Sequence, residues 1–318
     1  MTRDSNHRRE YEARINRAID YVVSHRAEAL TLEQIAGVAA FSPYHFHRVF
    51  KACTGETLGQ FIQRTRLEWA ATDLVLRRDR SILATALDSG FNGAASFARA
   101  FRDRFGMSAT EWRDGGAEAF SQEQNSKLGK VNGNPCKADG ARACEFDPVR
   151  ADAAWQELNM NVSVKTLPDY HLAYLRHVGP YGAGGGIPAI WQELVRWAKA
   201  HDLWNDDALL VGVARDNPMI TDPARLRYDA SIVVAQGFQP SGRVNVTDMP
   251  GGKCAVLAFR GTAFEIERGW HDFFSAWLPG SGYQPDDRPC FELYRAQDEV
   301  DPNTGIFKCE LCAPVRAL

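Results

Sequence analysis

The sequence predicts a multidomain chain: an all-α front domain holding two helix-turn-helix motifs, then an α+β domain of two pseudo-symmetric β-α-β-β repeats. Three observations point there. Between residues 8 and 109 apolar residues recur at helical spacing, and one three-part pattern occurs twice, about fifty residues apart. Residues 113 to about 153 turn polar and Gly-rich. Beyond residue 161, strand-like and helix-like runs alternate, and four of them recur in the same order. The predicted boundaries are 8–112, a linker 113–160, and 161–318. A length of 318 residues exceeds the usual single domain, and 45% hydrophobic residues is enough to build cores for two.

The first copy of the pattern covers residues 31–51. Thr31 can cap a helix with Leu32, Ile35 and Ala36 on its apolar side, and residues 37–41 hold a turn. Ser42 and Pro43 then start a second helix, as a hydroxyl N-cap followed by proline at the first helical position. On it Phe46, Val49 and Phe50 face inward, leaving Tyr44, His45, His47, Arg48 and Lys51 outside. Side chains of these types on an exposed helix face can reach base edges in a major groove.

The second copy begins at Ser81. Its second helix, about residues 94–105, buries Phe97, Phe101 and Phe105 and turns Arg99, Arg102 and Arg104 elsewhere. Gly55 closes the first copy and Gly106 the second. A long helix, 58–76, joins the copies and would set their separation. The alternative is a plain helical bundle with solvated basic residues; recurrence of the whole pattern favours double-stranded DNA as the partner. Charge agrees weakly. Residues 1–112 carry 16 Lys and Arg against 13 Asp and Glu, and the remainder carries 21 against 27.

Leu32, Ile35, Ala36, Ser42, Pro43, Phe46, Phe50, Gly55, Arg66, Leu67, Ala84, Gly90, Phe91, Phe97, Arg99, Phe101, Phe105, Gly106 and Trp112 together resemble the DNA-binding domain of AraC/XylS-type transcription regulators. The resemblance implies that Tyr44, His47, Arg48 and Arg99 face bases in promoter DNA. Small residues at 93–95 stand where the family often has longer polar ones, so the second helix is expected to contact mainly phosphates.

In the back domain, a strand at 171–178 ends in a Gly turn and is followed by an amphipathic helix and two strands. The same order returns from residue 253, with Gly179 and Gly261 82 residues apart and Trp191 and Trp270 79 apart. Such halves would enclose a cleft where they meet. Glu292 sits in a strand on one face with Tyr294, and a carboxylate among aromatics receives a cationic or polarised small molecule by charge and cation–π contact. Tyr181, Trp191, Phe264 and Trp277 are further candidate walls, with core packing at least as good a reading for each. The segment, through Tyr174, Gly179, Pro180, Tyr228, Asp229, Pro250, Trp277, Pro279, Tyr283, Pro289, Glu292 and Tyr294, resembles the gyrase-inhibitor-like (GyrI-like) effector-binding domain. That resemblance implies a small-molecule effector; as a sensor, the chain would change promoter binding or contact with RNA polymerase on occupancy, and binding of a protein by this domain is a further alternative.

Other chemistry falls away. No Ser/His/Asp grammar is visible, so a non-enzyme is expected; the rival is hydrolysis of reactive cyclopropane-bearing compounds, which some GyrI-like domains perform, with Glu292 as acid or base. Cys309 and Cys312 form a CxxC in a strand-like run, where residues three apart face opposite ways, and no second ligand pair completes a metal site. No cofactor is expected. Seven cysteines, a polar N-terminus and no apolar run of about twenty residues predict reduced thiols, a cytoplasmic location and no membrane partner.

Overall fold

The computed structural model describes residues 3–122, 162–181, 186–240, 242–263, 265–286, 288–298, 300–301 and 303–318. The chain forms two compact units, one from its front part together with Met219–Thr221 and one from the rest of its back part.

The front unit is helical: α1 (Arg3–Ser24), α2 (Leu32–Val38), α3 (Pro43–Thr54), α4 (Leu58–Leu76), α5 (Ile82–Asp88), α6 (Ala94–Phe105) and α7 (Ala109–Glu111). Thr31 caps α2 and Thr57 caps α4, each in a reciprocal box with a glutamine three residues on. Ser42 differs from expectation. It stands at the N-cap position of α3, but its hydroxyl meets His45 Nδ1 at 2.9 Å and makes no capping bond to the backbone. Gly55 and Gly106 end α3 and α6 in the left-handed conformation that side-chain-bearing residues resist.

Two cores result. Ile15, Ile19, Val22, Ile35, Phe46, Phe50 and Phe61 fill the first; Leu67, Leu74, Ala86, Phe97, Phe101, Phe105 and Trp112 fill the second. Helix α4 serves both, and Trp112 fastens to it by donating its indole N–H to the Ala71 carbonyl at 2.9 Å. At the start of the predicted linker the chain kinks, with non-helical backbone angles at Asp114 and Gly115, and residues 117–122 are helical; there Phe120 sets its ring against Phe105 and Trp112 at 5.5 and 5.2 Å. The rest of the predicted linker, from residue 123 to 160, lies outside the described residues.

The back unit is an antiparallel sheet carrying two helices. Its strands are β1 (Val162–Leu167), β2 (Tyr170–Val178), β3 (Leu209–Ala214), β4 (Arg227–Val233), β5 (Asn245–Met249), β6 (Gly252–Gly261), β7 (Tyr283–Pro285), β8 (Phe291–Arg295) and β9 (Phe307–Ala317). Helix α8 (Ile187–Ala200) follows β2, and α9 (Ile266–Asp272) follows β6 and runs on through a π turn, Phe273–Trp277. The order across the sheet is β1-β6-β9-β8-β3-β4-β2-β5, with β7 on β9. Read from either end it is the same sequence of counterparts, so a pseudo-two-fold axis passes between β3 and β8. The repeat is larger than the expected β-α-β-β unit: each half starts with an extra strand, and β1 and β5 each pair with the other half. One face packs under α8 through Ala173, Leu175, Leu210 and Ile232, and under α9 through Leu257, Leu311 and Ala313. The opposite face gathers Leu172, Val211, Val213, Val256, Phe291 and Leu293.

Candidate functional site

In the front unit the two candidate reading helices expose the expected faces. On α3, Phe46 and Phe50 are fully buried while His45, His47, Arg48 and Lys51 are exposed. Tyr44 belongs to α3, but its side chain lies outside the described residues. On α6, Phe97 and Phe101 are buried and Arg99 and Arg102 exposed. Arg104 turns inward and donates to Glu68 at 3.2 Å. Gly93 begins α6 with no side-chain cap, so this helix starts with less local support than α3, which has proline in its first turn.

In the back unit the centre is Glu292. Strand β8 is flanked by β3 and β9, so Glu292 is on an interior strand and not at an edge. Gly212 faces it in register, and that is where the pseudo-two-fold passes. A Cβ on Gly212 would collide with the Tyr228 hydroxyl and come within 2.8 Å of Glu292 Oε2. Its missing side chain is what lets Tyr228 cross from β4 to the carboxylate. Tyr228 donates to Oε2 at 2.7 Å, Tyr294 donates to the same oxygen at 2.9 Å, and Trp270 Nε1 donates to Oε1 at 3.3 Å. Trp191 Nε1 donates in turn to the Tyr228 hydroxyl at 3.3 Å, and its ring meets Tyr294 edge-on at 5.4 Å. Trp191 on α8 and Trp270 on α9 are counterparts in the two half-repeats, so both helices aim an indole N–H at one cluster.

Burial raises the Glu292 pKa above the ordinary carboxylate value, against the pull of the Tyr228, Tyr294 and Trp270 hydrogen bonds. Burial, then the Glu292 charge, pushes both Tyr228 and Tyr294 well up, so the phenols stay protonated donors. The arrangement is a buried carboxyl group held by neutral hydrogen-bond donors and surrounded by aromatic side chains.

The other expected residues divide. Tyr294 and Trp191 join Glu292. Tyr181 touches the cluster only by its ring, edge-on to Tyr228 at 6.3 Å. Its hydroxyl is committed elsewhere, donating to the Arg227 carbonyl at 2.7 Å beside the Arg227–Asp216 ion pair. Trp277 takes the core-packing alternative: it is 8% exposed, packed on Phe273 and stacked on Tyr283 in the core under α9. Phe264 lies outside the described residues. Sequence reasoning left out Tyr228, whose polar tip is brought to Glu292 by strand pairing across Gly212; no local spacing signals that. Cys309 and Cys312 belong to opposite sheet faces, and burial raises both thiols far above their ordinary value, which keeps them protonated. Among the described residues no group of three His, Cys, Asp or Glu could hold a metal ion, and no helix is long and apolar enough to cross a membrane.

Comparison with known proteins divides the chain in the same way. The GyrI-like small molecule binding domain family matches residues 160–316, and a helix-turn-helix domain family matches residues 35–115. A DNA gyrase inhibitor of Escherichia fergusonii is 30% identical over 154 residues, which is 48% of this chain and 92% of that protein. The probable transcription factor PqrA of Proteus vulgaris is 36% identical over 91 residues, 29% of this chain and 74% of that one. The C-terminal domain of AraT, a response regulator from Geobacillus stearothermophilus, aligns at 28% identity and a TM-score of 0.30 over 32% of this chain and 84% of that chain.

Proposed function

This chain belongs to the AraC-type helix-turn-helix regulators that carry a C-terminal GyrI-like small-molecule-binding domain, and from that premise we propose that it is a one-chain sensor of a cationic aromatic molecule. The observation that carries the choice of ligand is Glu292, an anion on an interior strand surrounded by Tyr228, Tyr294, Trp191 and Trp270. A hydrated inorganic cation gains little from such walls. A weakly hydrated organic cation gains both charge attraction and ring contact. At the DNA end, Tyr44, His47 and Arg48 of α3 read promoter sequence, flanked by His45 and Lys51, and on α6 Arg99 reads fewer bases while Arg102 adds phosphate contacts. Occupancy of the carboxylate site changes promoter binding, or contact with RNA polymerase, through differential affinity of the ligand for two states of the chain.

The deciding experiment compares benzyltrimethylammonium with its neutral isostere neopentylbenzene by calorimetry. The cation is expected to bind more tightly, and Glu292→Gln to erase roughly 10- to 100-fold of that preference, the worth of a charge-assisted contact. Equal binding of both compounds, unchanged in the variant, would remove Glu292 from the site. Turnover of a strained electrophile by wild type and none by Glu292→Gln would instead assign catalysis to this domain.

A further inference from the structure

Helix α4 joins the two helix-turn-helix motifs, and polar contacts leave it from two sides. Residues 64 and 68 lie one turn apart, while residue 66 lies about 200° round from residue 64. On the first side, Arg64 forks onto Glu56, in the turn that follows α3, with Nη2 2.7 Å from Oε1 and Nε 3.2 Å from both oxygens. Its Nη1 donates to Glu68 Oε2 at 3.0 Å, and Glu68 Oε1 accepts from Arg104 of α6 at 3.2 Å. The alternating series Glu56, Arg64, Glu68, Arg104 therefore runs from the end of one candidate reading helix to the other. The side chains of Glu56 and Glu68 are 8% exposed and that of Arg64 12%, so solvent screens the inner links little.

On the second side, Arg66 donates from Nε to the Arg26 carbonyl at 2.8 Å and from Nη2 to the Glu28 carbonyl at 2.7 Å. Both carbonyls belong to the connection between α1 and α2, in the first motif. The same Nε–Cζ side of the guanidinium that meets the Arg26 carbonyl also lies against Gly90, in the turn of the second motif. Gly90 has φ +84, and a Cβ there would stand 2.8 Å from Arg66 Cζ and collide with the Arg26 carbonyl. The counterpart turn position in the first motif is Ala40, with φ +52. The left-handed turn alone therefore accepts a side chain. What demands glycine at residue 90 is the close approach of the two motifs.

We propose that Arg66, with the Arg64–Glu68 series on the other side of α4, is a positioning residue that holds the two reading helices at one separation, so that the protein binds two DNA segments only at one spacing. This rests on α3 and α6 being the reading helices. Inserting one base pair turns the second segment by about 35° and moves it about 3.4 Å, which a rigid pair of helices cannot follow. A pair freed at the joint can follow it, and then binds as two loosely linked modules.

The test uses the full chain and a duplex selected by the wild-type protein from a random library. Affinity is measured for that duplex, for one with the second contacted segment scrambled, and for ones with a base pair inserted or deleted between the segments. Wild type is expected to lose about 10-fold or more on insertion or deletion. Arg66→Gln and Arg66→Lys, which cannot fork to two carbonyls, are expected to lose no more than about 3-fold, with affinity for the scrambled duplex unchanged. If Arg66→Gln does not fold, Arg66→Lys, which keeps the stem and the charge, carries the comparison. A folded variant that keeps the wild-type spacing penalty overturns the proposal. So does equal weakening on the selected and scrambled duplexes, which would give Arg66 only a role in the stability of the first motif. Wild-type binding that ignores scrambling of either segment is a different failure, that of the two-helix reading itself.

Discussion

Glu292 carries three hydrogen bonds from uncharged donors and yet has its pKa raised, so the cost of burial outweighs them. The sign for stability follows from proton linkage. The folded protein holds the Glu292 proton more tightly than the unfolded chain does, so this group favours folding fully below the ordinary carboxylate pKa. That contribution is lost as pH rises through the higher folded value. Ligand binding runs the other way, because the cation needs the anion. Affinity for benzyltrimethylammonium should fall on acidification, beginning at a higher pH than an ordinary exposed carboxylate would give; a calorimetric pH series in wild type and Glu292→Gln reads this directly, and the variant should show no such fall. Gly212→Ala should displace Tyr228 and Glu292, cost about 1–3 kcal/mol by urea denaturation, and weaken the cation as much as Glu292→Gln does. Ala40 presents the opposite case. With φ +52 and no demand for a side chain, Ala40→Gly should relieve about 1 kcal/mol of left-handed strain, seen as an equal or higher melting temperature. Of these residues, Glu292 and Tyr294 were legible because they share a strand face, and Trp191 because its helix repeats. Tyr228 and Gly212 were not, because only strand register makes them neighbours.

Among the elements, the helices of the two motifs were the most readable, since each carries a cap or an end signal and an apolar stripe at helical spacing. Thr31, Thr57 and Ser81 cap α2, α4 and α5, and Gly55 and Gly106 end α3 and α6. The stripe on α6 is also its anchor. Phe101 is fully buried against Phe97, Phe105 and Trp112, so Phe101→Ala should cost about 3–5 kcal/mol and melt the second motif before the first, as hydrogen exchange of α6 against α3 would show. Ser42 shows the limit of local reading: the capping residue type is present, but the neighbouring His45 takes its hydroxyl. Residues 117–122 show it again, because within a stretch of linker-like composition one aromatic, Phe120, meets two others already in place. Strands β1 and β5 were missed for a related reason. They are short and partly exposed, and each is held by a strand of the opposite half-repeat, not by its sequence neighbours.

At the scale of the molecule, the interlocking of β1 and β5 ties the two half-repeats into one unit. A fragment of residues 162–318 should fold alone and bind benzyltrimethylammonium within about 3-fold of the full chain. A fragment starting at residue 169 leaves β6 without β1 and should be less stable by thermal denaturation. DNA binding by the full chain should weaken linearly in a double-logarithmic salt series as phosphate-bound counterions are released. The division of labour between a helical front and a sheet-bearing back was readable from the sequence, because helix caps, the aromatic stripes of α3 and α6, and the duplicated β-α-β-β order are local patterns. What only the tertiary structure decided is which groups meet: Tyr228 and Trp270 on Glu292, Arg66 between two turns, Trp277 in the core under α9. Local sequence determines which face a side chain takes on its own element; which other element stands opposite depends on strand register and helix packing, and those are settled by contacts between residues far apart in the chain.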